Sequence, residues 1–286
     1  MSIGSIMVPL RGADDGESAL ALALELGRRL DARVTVLHPA LDPRASVPYL
    51  GEGMTGAMVD DLMAAMEREA SERETHARQI FEAASKKAGA DPVATPTGPG
   101  FQASFTAAVG RDDDLVALYG RLHDLVLVPC PAHDDPAEVP MLQAAIMDTG
   151  RPIVIAPTTV PESVGTRVAI AWNGSLQAAR AVTAALDFLA AAKSVVIMTV
   201  EEGEQRGPSA AELVGYLDAH GIAAEVKTLE PTHLPVAEAL MLEASAGGAD
   251  LLVMGAYTHS RLRELILGGV TRDVLANLDM PVLMMH

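Results

Sequence analysis

The sequence predicts an α/β protein built from two tandem, doubly wound domains, each a five-stranded parallel sheet with helices on both faces. Three observations predict it. Short apolar runs alternate with helical stretches along the whole chain. The strands are apolar at successive positions rather than at every second one, as parallel strands covered on both faces are. The order of elements also occurs twice. Ile6-Met7-Val8-Pro9-Leu10-Arg11-Gly12 is answered by Val168-Ala169-Ile170-Ala171-Trp172-Asn173-Gly174. An Ala/Leu-rich helical segment follows each, Ala19 to Leu30 and Ala178 to Ala191, and then a β-rich run, Val34 to Leu37 and Val195 to Met198. Asp124 to Val128 corresponds to Asp250 to Met254, and Pro152 to Ile155 to Pro281 to Met284.

In the second copy the predicted order is β 167–172, α 176–191, β 194–200, α 208–220, β 223–228, α 235–247, β 250–254, α 269–278 and β 281–285. Gly221 and Pro281 supply stops at element ends. The first copy is longer because its second crossover is expanded. Residues 39–57 read as a Pro/Gly-punctuated loop, and 58–88 as one long helix with Leu62, Met66, Ala70, Ala77, Ile80, Phe81 and Ala84 along one side. The expected domains are 1–157 and 166–286, joined where Pro and small polar residues replace periodicity, from Pro157 to Gly165. Each copy ends in an apolar strand whose edge would be open. Pairing those two strands across a pseudo-twofold axis would make the chain an intramolecular pseudo-dimer. Homodimerisation of the whole chain is compatible with this reading but unspecified.

With 286 residues, 49% of them hydrophobic and 21% charged, the composition is that of a globular protein with ample core. No apolar run approaches the 18 or more residues of a membrane span, and Met1-Ser2-Ile3-Gly4 does not open a secretory signal. The single cysteine, Cys130, excludes a disulfide scaffold and fits a reducing, cytoplasmic setting. The net charge is −17, with acids outnumbering bases in both halves, which disfavours nucleic acid as a partner. One local exception stands out: Arg261, Arg263 and Arg272 cluster in the second half, a cationic spot suited to a small anion.

Ligands of open parallel sheets bind beyond the carboxyl ends of the strands, at the switch point. After the fourth strand of copy two the chain reads Gly255-Ala256-Tyr257-Thr258-His259-Ser260-Arg261-Leu262-Arg263-Glu264-Leu265-Ile266-Leu267-Gly268-Gly269-Val270-Thr271-Arg272. Glycines permit close backbone approach, and a helix opening at Gly268-Gly269-Val270-Thr271 offers free N–H groups to phosphate. Thr271 adds a hydroxyl, and Arg261 or Arg272 a counter-charge. The residues alone are equally compatible with an ordinary loop between a helix stop and a helix start. His259 fits phosphate contact or plain exposure. No triphosphate P-loop occurs, and no Gly-x-Gly-x-x-Gly follows a strand, which disfavours a dinucleotide-dependent dehydrogenase. In copy one the corresponding stretch is Val128-Pro129-Cys130-Pro131-Ala132-His133-Asp134-Asp135-Pro136. Its prolines withdraw backbone donors and its acids repel phosphate, so this half reads as degenerate. His133, Asp134 and Asp135 read as a solvated loop rather than metal ligands, and Cys130 as unreactive.

The segment from Gly255 resembles the C-terminal signature of the universal stress protein family, Gly-x2-Gly-x9-Gly-Ser/Thr. The whole chain resembles that family's tandem members in topology. The resemblance implies the fold of the adenine nucleotide alpha hydrolases and an adenine nucleotide, ATP or ADP, alone or with magnesium. Its phosphates would lie on the Gly-rich loop and the last helix. Gly255 matches the first motif glycine and Gly268 the third; Thr258 stands at the second glycine and Gly269 at the usual Ser/Thr. Asn173 takes the place of an aspartate after the first strand, able to accept a bond from ribose but uncharged. By position Ala171 and Thr199-Val200 border the adenine. The expected nucleotide site is therefore Ala171, Asn173, Val200, Gly255, Thr258, His259, Arg261, Gly268, Gly269, Val270 and Thr271, with one nucleotide per chain.

Two functions compete on this basis: a stress-response module regulated by an adenine nucleotide, and an interaction scaffold that binds none. Thr258 and Gly269 keep the second in play. Catalysis is the weakest reading, since no nucleophile–base pair or metal cluster is evident; slow ATP hydrolysis is its upper limit.

Overall fold

A computed structural model describes residues 3–12, 16–40, 55–90, 92–131, 138–200, 207–230, 233–256 and 278–286. In chain order the first half contains β1 (Ser5–Pro9), α1 (Glu17–Leu30), β2 (Arg33–Ala40), α2 (Gly56–Ala88), β3 (Gln102–Val109), α3 (Asp112–Gly120), β4 (Leu125–Pro129), α4 (Glu138–Met147) and β5 (Ile153–Ala156). The second contains β6 (Arg167–Ala171), α5 (Leu176–Ala184), α6 (Leu186–Ala191), β7 (Ser194–Val200), α7 (Ala210–Asp218), β8 (Glu225–Leu229), α8 (Val236–Ala246), β9 (Leu251–Gly255) and β10 (Val282–Met285).

The strands form one ten-stranded sheet in the order β3-β2-β1-β4-β5-β10-β9-β6-β7-β8. Every described pairing is parallel except the central one, where β10 runs antiparallel to β5 with Val282 opposite Ile155, Leu283 opposite Val154 and Met284 opposite Ile153. The expected pairing of the two terminal strands is therefore present. Because side chains alternate between faces, successive residues feed two different cores. Leu125, Leu127, Val154 and Leu283 join one, while Val126, Val128, Ile153, Ile155, Val282 and Met284 join the other. Both cores run straight through the seam.

An aspartate in each half locks the start of its first strand. Asp124, just before β4, accepts from the Gly4 amide at 3.0 Å and the Ser5 hydroxyl at 2.8 Å. Asp250, just before β9, accepts from the Thr166 and Arg167 amides at 2.8 Å each. The inter-copy segment is docked by the same means. Ser163 donates to Asp250, Val164 is buried, and its carbonyl accepts from Arg29 of α1.

The helix expected over 176–191 is broken. Ala185, at φ −89° and ψ 0°, ends α5 and caps α6. The new direction buries Phe188 and Leu189. The long helix starts at Gly56 behind Thr55 rather than at 58. Of its expected apolar side Ala77, Ile80 and Phe81 are buried, whereas Leu62, Met66, Ala70 and Ala84 are only half-buried. Strand ends differ from expectation by a residue or two: β2 continues to Ala40, and β8 and β9 begin and end later. The helix expected over 269–278 falls almost wholly outside the described residues.

Candidate functional site

In each half the order of winding reverses between two strands, β1 and β4 in the first and β6 and β9 in the second. Open parallel sheets bind their ligands at such switch points, beyond the carboxyl ends of the strands. In the second half four of the expected site residues are described, and three end neighbouring strands. Ala171 ends β6 opposite Met198 and Met254, Val200 ends β7 opposite Leu229, and Gly255 ends β9 opposite Met285. The fourth, Asn173, lies between β6 and α5, where its Oδ1 accepts from the Ser175 amide at 3.1 Å. Ser175 in turn caps α5, its hydroxyl accepting from the Ala178 amide at 3.2 Å. Sequence reasoning assigned the Asn173 oxygen to ribose; locally it builds the turn that aims the helix, with a second lone pair still to spend.

Gly255 has a packing role that spacing alone did not reveal. A Cβ there would lie 2.6 Å from the Ala178 amide nitrogen and 2.8 Å from the Gln177 carbonyl carbon. The first turn of α5 thus rests on the end of β9, so an N-terminal helix turn faces the switch point. Trp172 is buried and donates its indole N–H to the Pro208 carbonyl at 2.9 Å, forming wall. Thr258, His259, Arg261, Gly268, Gly269, Val270 and Thr271 lie outside the described residues, as do His133, Asp134 and Asp135 of the first half. Among the described residues no three His, Cys, Asp or Glu side chains gather as metal ligands, and no helix is long and apolar enough to cross a membrane.

The equivalent end of the first half, read from sequence as degenerate, holds a cavity of about 630 Å³. Arg11 and Gly12 after β1, His38 to Ala40 of β2, Arg111 to Asp113 at the start of α3, and one side of α2 line it. His38 is buried, with its Nδ1–H donating to the Leu10 carbonyl at 2.8 Å. Its ring stacks on Phe105, centroids 6.0 Å apart, and Phe105 carries Phe81 and the Arg78 guanidinium of α2. Arg11 Nη1 is 3.7 Å from Asp112 Oδ2. Burial raises the Asp112 carboxyl above the usual carboxylate range, with Asp113 adding to the rise; Arg11 and His38 oppose it. Asp113 is held below that range, chiefly by its side-chain bond from Arg111, 2.7 Å from Nη2 to Oδ2. Sequence reasoning noted Arg11 only as a replacement for asparagine and missed His38 and Asp112. The available signal was a histidine inside an apolar strand.

Sheets wound in this way, with a switch point in each half, define a broad class of doubly wound α/β proteins. Within it, residues 166–286 match the model of the universal stress protein family. A curated relative, universal stress protein Slr1230 of Synechocystis, is 32% identical over 127 residues, 41% of this chain and 42% of its own length. By structure the chain is similar to a universal stress protein of Archaeoglobus fulgidus, at 16% identity and a TM-score of 0.69 over 98% of this chain and 95% of that one. It is also similar to a functionally unknown protein of Pseudomonas aeruginosa, at 14% identity and a TM-score of 0.56 over 99% and 92%. That family match spans residues 166–286, less than half of the chain. The two structural likenesses carry the shared fold across both halves.

Proposed function

We propose that the protein is a binding module of the stress response that takes one adenine nucleotide, ATP or ADP, in the domain formed by residues 166–286. The observation that carries this reading is at Gly255. The residue ends β9 directly against the first turn of α5 and leads into the glycine-rich segment through Gly268, Gly269 and Thr271. In this reading Ala171 and Val200 flank the base, Asn173 accepts from ribose, and the Gly268 to Thr271 amides hold phosphate. Thr258, His259 and Arg261 complete the loop, and magnesium accompanies the phosphates if it is bound. Charge-assisted bonds to phosphate contribute about 1.5–3 kcal/mol each, so two or three decide occupancy. The first-half strand ends carry Pro129 and mixed charge and take no polyphosphate. Regulation rather than turnover is the activity assigned.

Mass spectrometry of small molecules released on denaturing the purified chain, followed by calorimetry with ATP and magnesium, tests this. One site per chain is expected, lost in Gly268→Val and unchanged in number in Pro129→Gly. Two sites, or binding indifferent to Gly268→Val, would remove it. No binding at all would favour the scaffold reading, which the non-glycine Thr258 supports.

A further inference from the structure

The ten-stranded sheet ends in β3 on one side and in β8 on the other. We propose that the β8 edge is an interaction surface for a second copy of this chain, the two β8 strands pairing antiparallel about a twofold axis with Val226 opposite its own counterpart. This proposal does not rest on the nucleotide reading.

The two edges are not alike. Along β3 the chain itself covers the start: Pro92 bridges to Ala103, and the Val93 amide donates to the Ala103 carbonyl at 2.9 Å. Along β8 no strand pairs on the outer side among the described residues. Glu225, Val226, Lys227 and Thr228 are all exposed, Val226 at 45%. An edge of unpaired N–H and C=O groups recruits another strand unless its side chains oppose the pairing.

On β8 the side chains select one register. A twofold axis normal to the sheet returns each face to its own side, so the pair must be centred on a residue. Centring on Glu225 or on Lys227 sets like charges opposite each other, which is destabilising. Centring on Thr228 sets Val226 opposite Glu230. Centring on Val226 sets Glu225 opposite Lys227 of the second copy, Lys227 opposite its Glu225, and Ala224 opposite its Thr228. Both charge pairs then attract, and the valines meet. The lone lysine that would blunt an edge is answered by a glutamate two residues away.

The two faces support this register. Lys227 is in register with Met198 and Val226 with Ile197, which join opposite cores, so the charges lie on the α8 side and Val226 on the α7 side. Lys227 Nζ donates to Glu243 of α8, and an ammonium has three donors, so one contact leaves capacity for another carboxylate. Glu225 has no partner among the described residues. The backbone is satisfied whichever alternate residues turn outward, by bonds exchanged at Val226 or by those of its two neighbours.

Sedimentation equilibrium of the full chain at hundreds of micromolar and low ionic strength tests this. There β10 is already covered by β5, so the central edge does not contribute. A dimer is expected. Glu225→Lys and Lys227→Glu each set like charges opposite twice per dimer, and each should weaken it at least tenfold. Both sites are exposed on an edge strand, so neither change reaches the core. An equimolar mixture of the two variants restores both attractive pairs across one interface, and it should dimerise at concentrations where neither variant does alone. A monomeric unaltered chain, a dimer that either substitution leaves unweakened, or a mixture no better than its components would overturn the proposal.

Discussion

At Gly12 and Gly255 one added methyl group would meet main chain rather than a side chain able to swing aside. Gly12 has φ +81° and its missing Cβ points at the Arg73 carbonyl, which fixes the β1 loop against α2. Gly255 makes the close contact with α5 described above. Each substitution by alanine should cost about 1–3 kcal/mol in urea unfolding, whereas Gly215→Ala, with open space in the middle of α7, should gain about 0.5–1 kcal/mol. Equal effects at the three positions would remove the packing roles. Two titrating residues act with opposite signs. Asp112 has its carboxyl raised by burial, so the fold disfavours its charge; that penalty is absent below about pH 3.9 and grows as pH rises through the folded value. Asp112→Asn should therefore raise Tm at pH 7 and lose the gain near pH 3.5. His123 is pushed down, first by burial, although its Nδ1–H donates to the Tyr119 carbonyl at 2.9 Å. Its neutral form is favoured, so stability is lost as pH falls below about 6.5 and through the lower folded value. His123→Asn should flatten the dependence of unfolding free energy on pH between 7 and 5; an unchanged slope would contradict it.

The helices differ in how firmly they begin. Ser209 and Glu212 make a reciprocal capping box at α7, with the Ser209 hydroxyl accepting from the Glu212 amide at 3.2 Å and the Glu212 carboxylate accepting from the Ser209 amide at 2.8 Å. Thr55 caps α2 through one longer bond, 3.4 Å from the Met58 amide, ahead of turns that bury little. Ser209→Ala should cost about 1 kcal/mol of global stability, while Thr55→Ala should raise amide exchange in the first α2 turns with little change in Tm. At this scale the sequence is legible where burial is uniform. Strands such as Leu125–Pro129 are apolar throughout because both faces are covered. The break at Ala185 was hidden because no glycine or proline marks it; the cause is tertiary, the pull of Phe188 into the core. The first-half cavity was hidden for another reason. Arg11 follows β1, His38 lies within β2 and Asp112 opens α3, so they meet only once β1 and β2 pair and α3 follows β3. The Gly255 motif was legible as spacing, but its contact with α5 was not.

Across the whole molecule the antiparallel β5–β10 pairing joins two parallel half-sheets into one and carries both cores over the junction. Val154 and Leu283 face each other there, each fully buried. The N-terminus adds a tie, the Ile3 amide donating to Asp187 of α6 at 3.2 Å, and Arg29 adds another at Val164. Linked this closely, the halves should unfold in one cooperative transition, with calorimetric and van't Hoff enthalpies equal. A lysine at Leu283 would bury an unpaired charge, which costs several kcal/mol, and should split or abolish that transition. The same geometry predicts what one half does alone. Residues 163–286 without β5 would expose the apolar edge of β10, and an open edge of that kind templates pairing. An antiparallel contact between two terminal strands is self-complementary under a twofold axis, so β10 of one copy can take the place of β5 against another. Sedimentation of residues 163–286 at tens of micromolar should show a dimer, and Leu283→Lys should return it to a monomer if it still folds. A folded, monomeric half with an unmodified β10 would mean that the seam covers an edge which needs no cover, and the two halves would then be neighbours rather than partners.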